Sequence, residues 1–271
     1  MADVAGMRSA VDAAGWQGVQ LAARQLPCLQ AELIASTHPS EYRNNLQAAV
    51  DRHDDLVIAG SFLLSADAVG AALANPRTHF VLINPLVPTS GPPNLAIVTF
   101  REDQAGYLAG ALAGMTTKTG VIAGVYGLED DHDLRYRSGF ERGAHDVNSS
   151  VRVLGAFQGP EDGSPYANPA WGAAQARGFV DQSADVIFGS GDGTGRGALT
   201  AAADAHKPCI TVGFFVDPSA PACLLGTVVL HVDRAVAGII TEALAGRWHG
   251  GDRIYGVDEG AIDLTKSRRA N

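Results

Sequence analysis

The chain has 271 residues, 46% of them hydrophobic and 18% charged, with a formal net charge of −9. A chain of this length forms one large domain or two lobes and buries roughly three quarters of its unfolded surface, so it needs no staples. The acidic balance argues against nucleic acid or an anionic membrane as the main partner, and no apolar run reaches the roughly 18 residues of a membrane span.

Apolar runs and helical patterns alternate along the chain. Trp16, Val19 and Ala23 share one helical face, and Ala31 to Ala35 reads as a strand. Tyr42, Leu46 and Val50 follow at helical spacing, then Leu56 to Ala59 as a strand. Ser65 is the expected N-cap of a helix over Ala66 to Ala74, which Asn75-Pro76 ends. Phe80 to Ile83 and Leu95 to Phe100 read as strands on either side of a segment crowded with Pro85, Pro88, Pro92 and Pro93. A helix around Tyr107, Leu108, Ala111 and Leu112 opens a second series. In it, strands over Val121 to Val125, Val151 to Phe157, Val186 to Phe188 and Ile210 to Phe215 alternate with helices over Leu134 to Val147, Ala170 to Val180, Ala198 to Ala205 and Val232 to Leu244. Runs of Val, Ile, Leu and Phe suit a parallel sheet covered on both faces. The alternation predicts an α/β, doubly wound fold. Fresh strand-helix units after Phe100 predict two lobes, 1–98 plus 218–250 and 99–217 plus 251–271.

The richest segment is Gly189-Ser190-Gly191-Asp192-Gly193-Thr194-Gly195-Arg196-Gly197, after the strand that ends at Phe188. Read as a glycine loop ahead of a helix, it brings main-chain N–H groups close to a guest; the competing reading is a glycine-rich connection with no ligand. It lacks the Gly-Lys-Ser/Thr ending of a P-loop. Asp192 is its best polar contact. Phe62, Tyr166, Phe214 and Phe215 are candidates for an aromatic clamp, with Phe62 and Phe214 equally readable as core. Trp171 reads somewhat better as a helix-packing residue than as a cleft residue. Asn84 offers a donor and an acceptor to a ligand, or caps the turn before Pro85. Asp3, Asp12 and Asp217 are further carboxylates near these positions. Asp130-Asp131-His132-Asp133 reads better as an acidic loop and helix cap than as a metal site, because hard cations use longer ligand spacing. No motif for catalysis, a metal or a cofactor is present. Cys28, Cys209 and Cys223 are an odd set with no redox spacing; Cys209 reads as a small core residue, which fits a reducing compartment. The opening Met1–Gly6 shows no export signal, so a cytoplasmic location is expected.

Phe100-Arg101-Glu102-Asp103-Gln104-Ala105-Gly106-Tyr107-Leu108-Ala109-Gly110 resembles the signature of the basic-membrane-protein family, the purine nucleoside receptor-like substrate-binding proteins of ABC transporters. Arg137 to Ala144 resembles the family's Gly-Phe-x-x-Gly helix, Ala184 to Gly197 its glycine loop, and Gly60 to Leu64 its first-lobe loop. The resemblance runs from about Asp3 to Leu264. It implies a type I periplasmic-binding-protein fold closing over a nucleoside- or purine-like small molecule. An aromatic ring would stack on the base and carboxylates would hold the ribose. The ligand contacts it implies, together with the residue reading, are Asp12, Phe62, Asn84, Tyr166, Gly191, Asp192, Thr194, Phe215 and Asp217. The chain also departs from the family. The family's opening strand has no counterpart before Asp3. A motif aromatic becomes Val11, a carboxylate becomes Phe215, a lysine becomes Leu230, a strand-end aspartate becomes Asn84, and the last helix beyond Leu264 is missing. Losing a central strand exposes main-chain groups along two neighbours. The start is then trimmed, or another segment or chain fills the gap, which leaves a homo-oligomer open, or the first lobe is rearranged. Alternative functions are an intracellular sensor, or an enzyme that has recruited the cleft.

Overall fold

The computed structural model describes residues 1–3, 6, 9–85, 89–163 and 166–267. Val4, Ala5, Met7 and Arg8 of the opening motif and Pro88 of the proline cluster lie outside them. The chain divides into two α/β units, Met1–Phe100 with His231–Ala261, and Arg101–Leu230 with the residues from Ile262 onward. The divisions differ from the expected 98/99, 217/218 and 250/251 for a physical reason. The apolar run Leu224–Leu230 pairs with its neighbours in the second unit, so the chain leaves that unit only after Leu230.

The first unit contains α1 (Ala10–Gln25), α2 (Tyr42–Asp51), β1 (Leu56–Ala59), α3 (Ser65–Ala74), β2 (His79–Ile83) and β3 (Leu95–Phe100). The second unit then supplies α4 (Glu102–Thr116), β4 (Val121–Leu128), α5 (Asp131–Val147), β5 (Arg152–Gln158) and α6 (Pro169–Asp181). It continues with β6 (Val186–Gly189), α7 (Asp192–Asp204), β7 (Cys209–Gly213) and β8 (Leu224–Leu230). The chain adds α8 (Val232–Leu244) and β9 (Gly251–Tyr255) to the first unit and ends on β10 (Ile262–Lys266) in the second.

In the first unit four parallel strands run in the order β1-β2-β3-β9. Leu46, Leu64, Phe80, Leu82 and Leu95 fill its core on one side. Ser65 is the first helical residue of α3, and its hydroxyl donates to the Phe62 carbonyl instead of capping the helix. Ala31 to Ala35 is no strand. It holds one isolated parallel bridge, Ala2 to Ala35, because no strand lies beside the rest of it. Met1 and Ala2 join both flanks at one end. The Met1 nitrogen donates to the Ile58 carbonyl at 2.6 Å and the Ala2 N–H to the Ile34 carbonyl at 2.8 Å. Between β1 and residues 29–34 the first unit otherwise keeps an open groove of about 880 Å³.

The second unit has the strand order β10-β8-β7-β6-β4-β5, parallel except for β10. Two corrections concern it. First, Cys209 is not a free core thiol: it forms a disulfide with Cys223, leaving Cys28 free and exposed. The pair stands 14 positions apart in the chain, yet β7 and the start of β8 are neighbours, which brings the Cα atoms to 5.3 Å. Second, most of the expected glycine loop is helix, since α7 begins at Asp192 rather than Ala198. Glycines within this helix let it lie close to neighbouring backbone. Trp171 packs its helix against the hydrophobic cluster around Ile187 and Leu199, the packing role read from the sequence.

Candidate functional site

In parallel sheets, main-chain amides and helix N-termini gather beyond the carboxyl ends of the strands. Each unit has such an edge. In the second, β4 ends at Gly127–Leu128, β5 at Gln158 and β6 at Gly189. Ser190 follows β6 and donates its N–H to the Val125 carbonyl. Gly191 then takes the left-handed conformation, φ 78°, as N-cap of α7. Only a glycine fits there: a Cβ would stand 2.6 Å from the Gly127 nitrogen.

Thr194 lies three residues further, fully buried. Its hydroxyl donates to Gln158 Oε1 at 2.7 Å and accepts the Asn168 N–H at 3.1 Å, while its own N–H reaches the Tyr166 carbonyl at 3.2 Å. The sequence reading has Thr194 contact a ligand; in the structure its hydroxyl is engaged within the protein. Burial and internal hydrogen bonds make it the pin that joins three loops. Asp192 is exposed at the start of the helix and Gly191 is partly exposed, so both remain available to a guest.

The acidic run before α5 diverges into three separate contacts. Asp130 caps the helix, accepting the His132 and Asp133 N–H groups at 3.0 and 3.1 Å, and also accepts the Tyr166 hydroxyl. His132 Nδ1 lies 2.7 Å from the buried Glu102 carboxylate, which Arg135 also holds. Asp133 is buried and accepts the Ser190 hydroxyl at 2.6 Å and the Gly127 N–H. Burial pushes its pKa up to about 7, against the opposing pull of the Ser190 hydrogen bond. The capping role of Asp130 agrees with the sequence reading. Asp133, Ser190 and Gln158 were not singled out in the sequence as ligand contacts; Ser190 follows the apolar run of β6 and Gln158 closes β5, whereas Asp133 stands in the first turn of α5, where only the packed structure shows its contact with Ser190.

Tyr166 has φ 58° and is partly exposed. Phe215 is exposed, and Phe214 is partly buried, just beyond β7. No ring contact joins Tyr166, Phe214 and Phe215 among the described residues; the ring contacts of this unit involve Tyr126, Phe140, Phe157 and Phe188 instead. Asp217 accepts from the Ser219 N–H and hydroxyl, which hold its carboxyl below the usual range, and lies 3.5 Å from Arg196. Its acceptor capacity is partly spent within the protein.

The first unit presents a different edge. Beyond β1, Gly60 donates to the Met1 carbonyl, and Ser61 caps a 3-10 turn over Phe62–Leu64 that leaves Phe62 half-buried. Asp12 sits in the first turn of α1, buried, with Oδ2 accepting the Asp3 N–H at 3.0 Å. Burial raises its pKa to about 7. Beyond β2, Asn84 adopts φ 52°, which Asn tolerates better than most residues, and its N–H pairs with the Val98 carbonyl. Asp12 Oδ1 and Asn84 Oδ1 are both buried with no hydrogen-bond partner among the described residues. Such atoms are uncommon and call for a reason.

No helix among the described residues is long and apolar enough to cross a membrane. Residues 9–271 match the family model of the PnrA-like ABC transporter substrate-binding proteins. The chain is 24% identical over 258 residues to a CD4+ T-cell-stimulating antigen of Listeria monocytogenes, covering 86% of this chain and 68% of that one. It is 25% identical over 240 residues to basic membrane protein A of Borreliella burgdorferi, covering 87% and 69%. With the ABC transporter nucleoside-binding protein BmpA of Lactococcus lactis it shares 27% identity over 167 residues, 62% of this chain and 46% of that one. Among solved structures, a solute-binding protein of an ABC transporter system from Aeropyrum pernix superposes with a TM-score of 0.78 at 21% identity, covering 97% of this chain and 75% of that one. The two parallel-sheet units thus have the type I periplasmic-binding-protein fold, and the chain belongs to the Bmp family of PnrA-like substrate-binding proteins.

Proposed function

We propose that this chain is a receptor for a nucleoside- or purine-like solute, held by the loops at the carboxyl ends of its strands. The observation that carries this reading is the pair of buried, unpartnered oxygens, Asp12 Oδ1 and Asn84 Oδ1, at one sheet edge. A polar guest that donates hydrogen bonds removes the cost of leaving them unpaired, about 1–3 kcal/mol each. Family membership and the nucleoside-binding relative from Lactococcus lactis point to the ligand class. Partly exposed rings at Phe62, Tyr166 and Phe215 suit stacking on a flat base. Gly191 supplies main-chain groups, and Asp192 a free carboxylate for hydroxyls. The Cys209–Cys223 disulfide supports an oxidising compartment over the cytoplasmic location expected from the sequence.

The test is native mass spectrometry of the purified protein for a retained small molecule, followed by calorimetric titration with adenosine, guanosine, inosine, free purine bases and ribose. A nucleoside or base binding at micromolar concentration, weakened at least tenfold by Asp12→Ala, supports the reading. A panel in which nothing binds, or in which ribose binds as well as nucleosides, overturns it.

A further inference from the structure

The two carboxylate oxygens of Asp130 do different work. Oδ1 caps α5, accepting the His132 N–H at 3.0 Å and the Asp133 N–H at 3.1 Å. Oδ2 accepts the hydroxyl of Tyr166, 36 positions along the chain. Tyr166 is tied down at three points. Its hydroxyl meets Asp130, its carbonyl accepts the Thr194 N–H at 3.2 Å, and its ring lies so close to Gly127 that a Cβ there would stand 2.2 Å from Cε1. Its backbone sits at φ 58°, a conformation that a bulky residue adopts only when its surroundings hold it. The residue nevertheless stays partly exposed, beside the carboxyl end of β4. We infer that Asp130 is a positioning residue for the Tyr166 ring: it latches the phenol against Gly127 and so presets a platform for the flat face of a guest. This rests on the reading that Tyr166 stacks on the solute.

Capping alone does not account for the aspartate. A serine or threonine caps a helix as well, but its single oxygen cannot cap α5 and hold Tyr166 at once. Nor does ring packing account for the tyrosine, because a phenylalanine would rest against Gly127 equally well and leave no hydroxyl to satisfy. Burial, followed by the bond to Asp130, pushes the phenol pKa well above its ordinary value. The latch therefore keeps its donor across the range in which Asp12 titrates. Its benefit to binding is entropic. A ring that is already fixed loses no rotamer freedom when a guest arrives, whereas ordering a free one costs about threefold to tenfold in affinity.

Limited nitration of the ligand-free protein with tetranitromethane at pH 8, read by peptide mapping, tests the latch. The reagent attacks the phenolate, and the latched phenol is held protonated. Asp130→Ser keeps a capping oxygen on α5 but is too short to reach Tyr166. Nitration at Tyr166 should then rise about tenfold, the scale of one hydrogen bond to a charged group, while the other tyrosines react as before. Inosine titrated at the same pH, so that Asp12 is equally ionised in every variant, tests the platform. Asp130→Ser and Tyr166→Phe should each weaken binding about threefold to tenfold. The double variant should lose no more than either single one, since both break the same bond. Tyr166 nitration unchanged by Asp130→Ser overturns the inference. Inosine affinity unchanged in both single variants, or losses that add in the double variant, overturn it as well. If the wild type binds no inosine, the nucleoside reading fails, and nitration alone decides whether Asp130 holds the ring.

Discussion

The two units present similar sheet edges but finish them in opposite ways. In the second unit the polar side chains beyond the strands bond to one another: Thr194 with Gln158 and Asn168, Asp133 with Ser190, Asp130 with Tyr166. In the first, Asp12 and Asn84 each keep a buried oxygen without a partner among the described residues. A saturated network is rigid before any ligand arrives, which limits the entropy lost on binding. An unsatisfied pair is a standing cost that a ligand can remove. The linked polar cluster thus lies in the second unit, which also keeps the buried Tyr126 hydroxyl without a partner among the described residues, while the unpartnered Asp12 and Asn84 oxygens lie in the first.

The sharpest way to break this contrast is through Asp12. Its folded pKa of about 7 lies above its ordinary value of 3.8, so the folded protein binds more protons between those limits than the unfolded chain. Stability contributed by the neutral acid is complete below about pH 4 and is lost as pH rises toward 7 and beyond. Asp12→Asn should therefore stabilise the protein at pH 8, by up to about 4 kcal/mol, and by almost nothing at pH 4. Urea unfolding at the two pH values checks this; a gain at pH 4 as large as that at pH 8 would mean that the charge is not the cause. In the second unit the sign reverses. Thr194→Val keeps the shape but removes the acceptor of the Asn168 N–H, and should cost about 2 kcal/mol in the same assay. A neutral outcome would show that the network there is not saturated as described. The smallest effect concerns the groove beside β1. An apolar tetrapeptide of valine and isoleucine joined ahead of Met1 should pair with Leu56 and with residues 31–33 and raise stability by about 1 kcal/mol. That figure is the surplus of apolar burial over chain ordering. A glycine-serine tetrapeptide is the control, and equal melting temperatures for the two would remove the groove as a strand position.

Much of the fold was legible because buried parallel strands and the helices between them write their burial into local composition. Leu56 to Ala59, Leu95 to Phe100 and Val186 to Phe188 are apolar runs that became β1, β3 and most of β6. Ala31 to Ala35, interrupted by Glu32, failed as a strand, since a strand exists only with a neighbour to pair. The glycine-rich run was misread in the other direction. Glycine lowers helix propensity, but Gly195 and Gly197 sit against other backbone, and that packing outweighs the intrinsic cost. Of the candidate contacts, Asp12 was read as a carboxylate near a motif position and Asn84 as a residue at a strand end, whereas Thr194 carries polar chemistry that it spends on Gln158 and Asn168.

The sequence by itself determined the alternation, the doubly wound class and the family, because each is encoded in short stretches read one at a time. Tertiary structure alone decided that Cys209 meets Cys223, that Asp133 reaches Ser190, and which oxygens stay unpartnered. These depend on distances between residues far apart in the chain, and such distances arise only when strand order and register are set. The partners of a buried polar atom are a property of the packed whole, and no local pattern of residues records them.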